Sequence, residues 1–251
     1  MKLRLIFATI ALVSLLACSG GADEAARQAR SSTAADAYER AQGNIAAGNY
    51  QSAAEALQQL STRFPFGPYA HQVQLDLIFV YYKLNDIDKA LAGIDRFMRL
   101  NPNHQDVDYA MYMRGLVNQR ADYNLFHDLL DINRSDRDPS KAREAFNDFA
   151  RLLRMYPDSK YAADAKQRMV ALKSRLAQHE LAVARYYVTR EAYLAAANRS
   201  KYVVEHFANT PEVEEALAIM MSSYAELDLT ELSEEARQML AHNFPSSGYL
   251  N

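Results

Sequence analysis

Tyr81-Tyr82-Lys83-Leu84-Asn85-Asp86-Ile87-Asp88-Lys89-Ala90-Leu91-Ala92-Gly93-Ile94-Asp95-Arg96-Phe97-Met98-Arg99-Leu100-Asn101-Pro102 decides the fold. It reads as the end of one helix, a turn at Asn85-Asp86 and a complete second helix. Ala90, Ile94 and Phe97 fall on one face of that second helix, at spacings of four and three. The helix stops at Asn101-Pro102, because proline disfavours helical geometry in the residue before it. Tyr81 and Pro102 are 21 residues apart. The same interval separates Asn44 from Pro65 and Tyr224 from Pro245. It also separates Tyr187 from Ala208, where alanine replaces the proline. A fixed internal period is the mark of a repeat architecture.

The residue types follow from geometry. Two antiparallel helices must approach closely, so small residues (Ala53, Ala90, Ala145 and Ala196) belong at the crossings. Larger apolar residues three and four positions on fill the seam. One pair cannot bury its apolar faces alone, so pairs stack. The unit Ile78-x2-Tyr81, Ala90-x3-Ile94, Pro102 resembles a degenerate tetratricopeptide repeat. The expected fold is all-α, a tetratricopeptide-type α-solenoid of about five helix pairs, or ten helices.

Composition agrees with this class. The chain has 251 residues, 49% of them apolar, with 8 glycines and 7 prolines, most prolines at expected helix ends. A formal charge of −3 gives no electrostatic case for binding nucleic acid.

Residues 1–17 read as a targeting segment. Lys2 and Arg4 are its positive region, and Leu5 to Leu16 is too short to span a bilayer as a permanent helix. The run ends in Leu15-Leu16-Ala17-Cys18, which resembles the lipobox of bacterial lipoproteins. Cys18 is the only cysteine, so no internal disulfide is possible. The resemblance implies that Cys18 carries covalent lipid as residue one of the mature chain, with no other cofactor. Ser19 in the next position implies export to the outer membrane.

Residues 18–33 are small, polar and charged, and read as a flexible lipidated tether. A first helix is expected over Ala34 to Ala47 and a second over Ser52 to Phe64. Phe66-Gly67-Pro68-Tyr69 is an aromatic, turn-rich connector. The next helix, with Val73, Leu75, Leu77, Ile78, Phe79, Val80 and Tyr81, is apolar nearly all round and should be buried on most sides. Gly115 falls where the repeat wants glycine. The third pair carries an insertion, Ala121 to Asp138, because Asn118 lies 39 residues before Pro157. Asp138 is expected as the N-cap of the following helix, with Pro139 in its first turn. Lys160 to about Arg190 contains no glycine or proline and reads as one long helix, with a break near Gln178-His179 as the alternative. A turn near Glu191, a helix over Ala192 to Phe207, a ninth helix opened by Thr210-Pro211 and a tenth over Thr230 to Asn243 complete the reading. The tail from Ser246 is expected to be loose.

No catalytic constellation stands out. The six histidines lack metal spacing. His179-Glu180 starts like a zinc-protease motif, but Val183 occupies the place of the second histidine. No phosphate loop, nucleophile elbow or dinucleotide fingerprint is present. The chain is expected not to be an enzyme.

Several longer stretches carry a more specific likeness. They are Arg63-Phe64-Pro65-Phe66-Gly67-Pro68-Tyr69, Gln72 to Ile78, Ile94-Asp95-Arg96-Phe97, Met111 to Leu116 and Arg134-Ser135-Asp136-Arg137-Asp138-Pro139. In these the chain resembles the BamD family, lipoproteins of the outer-membrane β-barrel assembly machinery. The resemblance implies a lipid-anchored scaffold on the periplasmic face of the outer membrane. It implies that the N-terminal repeats, 34–158, receive C-terminal signals of unfolded outer-membrane proteins. It implies that the C-terminal repeats, 159–251, dock on the BamA-type barrel subunit, with accessory Bam lipoproteins as further partners. Thr62, Phe64, Phe66, Gly67, Pro68 and Tyr69 become the candidate client-peptide surface, where Gly67 would allow backbone geometry closed to other residues. A tightly packed turn is the alternative there. Asn198 and Arg199 become the candidate docking residues. Arg199 is expected beside the seam, free to pair with a partner carboxylate, and an intramolecular pair with a neighbouring acid is the alternative. The other functional reading is a periplasmic tetratricopeptide scaffold for cell-wall growth or division.

Overall fold

The computed structural model describes residues 19–123 and 138–250, with side chains described from Thr33 onward. Within these residues ten α-helices follow one another without a strand. They are α1 (Ser19–Ala46), α2 (Tyr50–Arg63), α3 (Ala70–Lys83), α4 (Ile87–Leu100) and α5 (Val107–Asp122). After the insertion come α6 (Ser140–Met155), α7 (Ala162–Thr189), α8 (Tyr193–His206), α9 (Glu212–Glu226) and α10 (Thr230–Asn243). The chain divides after Gly93, inside α4, into two compact units.

The period of 21 is a backbone motif. Where α1, α3, α7 and α9 end, one residue turns into the left-handed region: Gly48 (φ 74°), Asn85 (59°), Glu191 (56°) and Asp228 (58°). The next amide then reaches back five residues. Asn49, Asp86, Ala192 and Leu229 N–H donate to the carbonyls of Asn44, Tyr81, Tyr187 and Tyr224, each at 2.9 Å. The left-handed residue donates in turn to the carbonyl three before it, as Asn85 does to Tyr82 at 3.1 Å. This is a Schellman close, which satisfies carbonyls that a helix end would leave bare. The four acceptors are the four residues that set the sequence period.

The seam is also as the spacing requires. Ala53, Ala90, Ala145 and Ala196 are all fully buried. So are Ile94, Phe97, Phe149 and Leu152. In the first unit α2 packs on α1 and α3 around Ala41, Leu57, Leu60, Val73 and Val80. In the second, α8, α9 and α10 close around Ala197, Leu217, Met220, Tyr224 and Leu240. Each fully buried large side chain contributes about 1.5–3 kcal/mol of transfer free energy.

Gly115 is required by close approach. A Cβ there would lie 2.4 Å from Cε1 of the Phe149 ring, where α5 crosses α6. The absent proline at Ala208 is compensated elsewhere. Asn209 turns left-handed (φ 67°), the Thr210 hydroxyl donates to the Phe207 carbonyl at 2.8 Å, and Lys173 Nζ donates to the Ala208 carbonyl at 2.6 Å.

Three expectations need correction. Residues 19–33, expected as a tether, are helical and continue into α1. Ala22 to Arg30 is almost wholly Ala, Glu, Arg and Gln, strong helix formers, and this outweighs polarity. Helix α6 is capped one residue later than expected, at Pro139. Asp138 stands just before it and accepts from the Ser140 amide (3.0 Å) and hydroxyl (2.6 Å), which holds its carboxyl below the usual range. Glu212, in the first turn of α9, is buried and accepts from Ser174 Oγ (2.6 Å) and Gln178 Nε2 (2.9 Å), tying α9 to α7. The tail is held up to Leu250, which packs on the α8–α10 core, and Ser247 is buried. The long helix α7 runs unbroken through Gln178-His179. Cys18 and most of the insertion lie outside the described residues.

Gly115→Ala should lower stability by about 2 kcal/mol or more, because the Phe149 ring must leave its rotamer or the helices must part. Gly67→Ala should change it by less than about 0.5 kcal/mol, since no atom lies within 4 Å of the added Cβ. Denaturant unfolding of the two variants checks both. Equal effects would contradict the role given to the Gly115 crossing.

Candidate functional site

The first candidate surface is the connector between α2 and α3. Helix α2 ends when the Phe64 amide donates to the Leu60 carbonyl at 2.8 Å and Phe64 leaves helical geometry (φ −131°). Four residues later the chain turns into α3, with the Ala70 amide on the Gly67 carbonyl (3.1 Å) and the Val73 amide on the Tyr69 carbonyl (2.8 Å). Both ends of the connector are thus fixed. Between them Phe66 projects with 93% of its surface exposed. Thr62, Gly67 and Pro68 are exposed as well, whereas Phe64 and Tyr69 are half-buried. Gly67 does not occupy the left-handed region, so the special geometry expected of it is not used. Proline and glycine here keep the loop short and leave room around Phe66.

Tyr69 is anchored from below. Its ring stacks on Tyr38 of α1, centroids 4.8 Å apart. The Tyr38 hydroxyl donates to Asp76 Oδ2 at 2.8 Å, and burial, then that bond, pushes the hydroxyl well above the usual tyrosine range. Gln42 also donates to Oδ2, and Gln72 donates to Oδ1 at 2.9 Å. Asp76 therefore collects donors from α1 and from its own helix, and ties α3, which carries one end of the connector, to α1. Phe64 is flanked by the Arg63 guanidinium, 5.5 Å from its ring centre.

The second surface is on α8. Asn198 is exposed. Arg199 lies beside the fully buried Ser200, as the spacing requires, and half of its side chain is exposed. It is not free. Its Nη1 donates to Glu180 Oε2 at 2.9 Å, and the Glu180 side chain is only 6% exposed. The intramolecular alternative is thus realised. Glu180 is the residue that sequence reasoning passed over. Its signal was present: Leu176, Glu180 and Ala184 recur every four residues on the buried face of α7, so a carboxylate stands in an apolar row. A buried carboxylate of this kind needs a cation, and Arg199 supplies it. Nearby, Arg185 grips Glu215 through two bonds of 2.6 Å, which ties α7 to α9.

The described residues contain no group of three or more His, Cys, Asp or Glu that could hold a metal, and no helix among them is long and apolar enough to cross a membrane. The two surfaces present an exposed aromatic on a loop fixed at both ends, and a half-exposed guanidinium held by a buried carboxylate.

Because Glu180 depends on Arg199, Arg199→Leu should cost on the order of 2 kcal/mol of stability, less than for a fully buried pair since Arg199 is half in water. The double variant Glu180→Gln with Arg199→Leu should recover most of it. An unfolding cycle over the four proteins measures this, and an unchanged midpoint for Arg199→Leu would refute it.

A family profile named YfiO, described as an outer membrane lipoprotein, matches residues 30–249. The outer membrane protein assembly factor BamD of Vibrio cholerae is 42% identical over 243 residues, covering 97% of this chain and 99% of that protein. The protein of the same name from Neisseria gonorrhoeae is 43% identical over 251 residues, covering 99% and 94%. The Haemophilus influenzae protein is 31% identical over 235 residues, covering 94% and 90%. The match runs through both compact units and both candidate surfaces, and on that ground the chain belongs to the YfiO family of outer membrane lipoproteins.

Proposed function

We propose that this protein is a non-enzymatic, lipid-anchored scaffold of the outer-membrane β-barrel assembly machinery. The observation that carries the proposal is end-to-end similarity to relatives named as assembly factors, at 42% identity over 97% of this chain. Its N-terminal repeats take up C-terminal signals of unfolded outer-membrane proteins. Its C-terminal repeats dock on the barrel subunit. Covalent lipid on Cys18 keeps both at the periplasmic face of the outer membrane. A single acyl chain holds a protein weakly and several hold it stably.

The client surface is the connector from Thr62 to Tyr69. An unfolded barrel strand is extended and half apolar, so it needs an exposed apolar contact that does not itself collapse. Phe66 supports this role, being almost fully exposed on a loop fixed at both ends. The docking role of Asn198 and Arg199 uses the guanidinium donors that Glu180 leaves over. A partner carboxylate would then share Arg199 with Glu180.

Photo-crosslinkers at Thr62, Phe64 and Gly67 should capture a peptide bearing the C-terminal strand of an outer-membrane protein. Capture only at sites in the C-terminal repeats would place the client elsewhere and refute this assignment. Mass spectrometry of the membrane-extracted protein should find a lipidated N-terminal Cys18. An unmodified N-terminus, or cleavage at another bond, would remove the anchor from the account.

A further inference from the structure

The C-terminal unit has an apolar edge that Arg199 does not explain. Helices α7 and α8 meet at the turn over Arg190 to Ala192, and α9 and α10 meet at the turn over Leu227 to Leu229. Helix α9 packs on α7, α8 and α10. The start of α8 thereby comes beside the end of α9, and the Tyr193 hydroxyl is pushed above its usual range by burial, then by the charges of Glu226 and Glu191. The two turns form one edge of the unit. Leu194, Leu229 and Leu232 stand out from it, 58%, 40% and 41% exposed.

The charge around these leucines is one-sided. Glu191, Glu226, Asp228 and Glu231 are exposed on the same turns. Among the described residues none of the four enters an ion pair. Arg190 is the only lysine or arginine in either turn, and its guanidinium is drawn over the Tyr186 ring, 5.3 Å from the centre. Exposed leucines alone are ordinary. Three on one edge, within an unbalanced negative rim, fit a covering surface of opposite charge. A neutral or acidic apolar partner would leave four carboxylates desolvated without cations.

We propose that this edge is an interaction surface for a basic protein face carrying apolar side chains, and that the barrel subunit supplies that face. The proposal rests on the reading that the C-terminal repeats dock on the barrel subunit. It adds where the contact is centred and what chemistry the partner brings. Lysine or arginine on the partner meets Glu226, Asp228 and Glu231, and apolar side chains cover Leu194, Leu229 and Leu232.

The test is binding of the full mature chain to purified barrel subunit in detergent. The triple variant Glu226→Lys, Asp228→Lys, Glu231→Lys should bind at least about tenfold more weakly than wild type, with an unchanged unfolding midpoint. The isosteric set Glu226→Gln, Asp228→Asn, Glu231→Gln serves if the reversal disturbs folding, and should weaken binding in the same direction. Wild-type affinity should fall as salt rises from about 50 to about 300 mM, and the neutralised variant should lose most of that dependence. Wild-type binding by both sets, with weakening by Arg199→Glu, would overturn the edge and leave the docking reading intact. Failure of the wild type to bind the barrel subunit would overturn the docking reading itself.

Discussion

A single backbone hydrogen bond recurs through the structure, from the amide after a left-handed residue to the carbonyl five places back. It closes α1, α3, α7 and α9, and sets where the next helix starts. With that start fixed, the residue five past the left-handed position is a fully buried alanine in three of the four turns, Ala53, Ala90 and Ala196, and a partly buried serine, Ser233, in the last. The residue twelve past it is always buried too, as Leu60, Phe97, Val203 and Leu240. The seam is therefore a consequence of the turn. Three of the four left-handed residues are not glycine, which costs a little backbone strain at each. Asparagine and aspartate tolerate that conformation best, and Asn85 and Asp228 hold two of the four positions.

The pair that breaks the rule is the one with the insertion. Helix α5 ends at Asp122, followed by an extended Tyr123 (φ −96°, ψ 96°), where α3, α7 and α9 are followed by a residue near helical geometry. Its crossing with α6 is set by bulk instead. Phe149 fills the space that Gly115 leaves empty. Two different devices, a capped turn and a glycine notch, thus bring helices to the same close approach.

Much of this was legible in the sequence, because a repeat writes its geometry several times. The tyrosine-to-proline interval, the buried alanines and all ten helices followed from spacing, and α10 has the expected bounds. What escaped was long-range pairing of polar groups. Asp76 was visible as the one carboxylate in an apolar helix, but not that Tyr38, Gln42 and Gln72 surround it. Arg199 was placed correctly beside the seam, but spacing on α8 carries no information about which residue of α7 faces it. The helical start at Ser19 was missed because polarity was weighed above the helix preference of alanine, glutamate and arginine. Phe66 was the easier inference, since an aromatic that neither neighbouring seam needs has no buried place to go.

On the proposed function the N-terminal repeats, 34–158, take clients and the C-terminal repeats, 159–251, hold the barrel subunit, within one assembly. Isolation of the intact protein from outer membranes in mild detergent, with quantitative identification of what remains bound, tests it most directly. The account predicts a stoichiometric complex with a membrane β-barrel protein that carries periplasmic modules. Recovery of the protein alone, or in a stoichiometric complex with cell-wall enzymes and no such barrel, would contradict it.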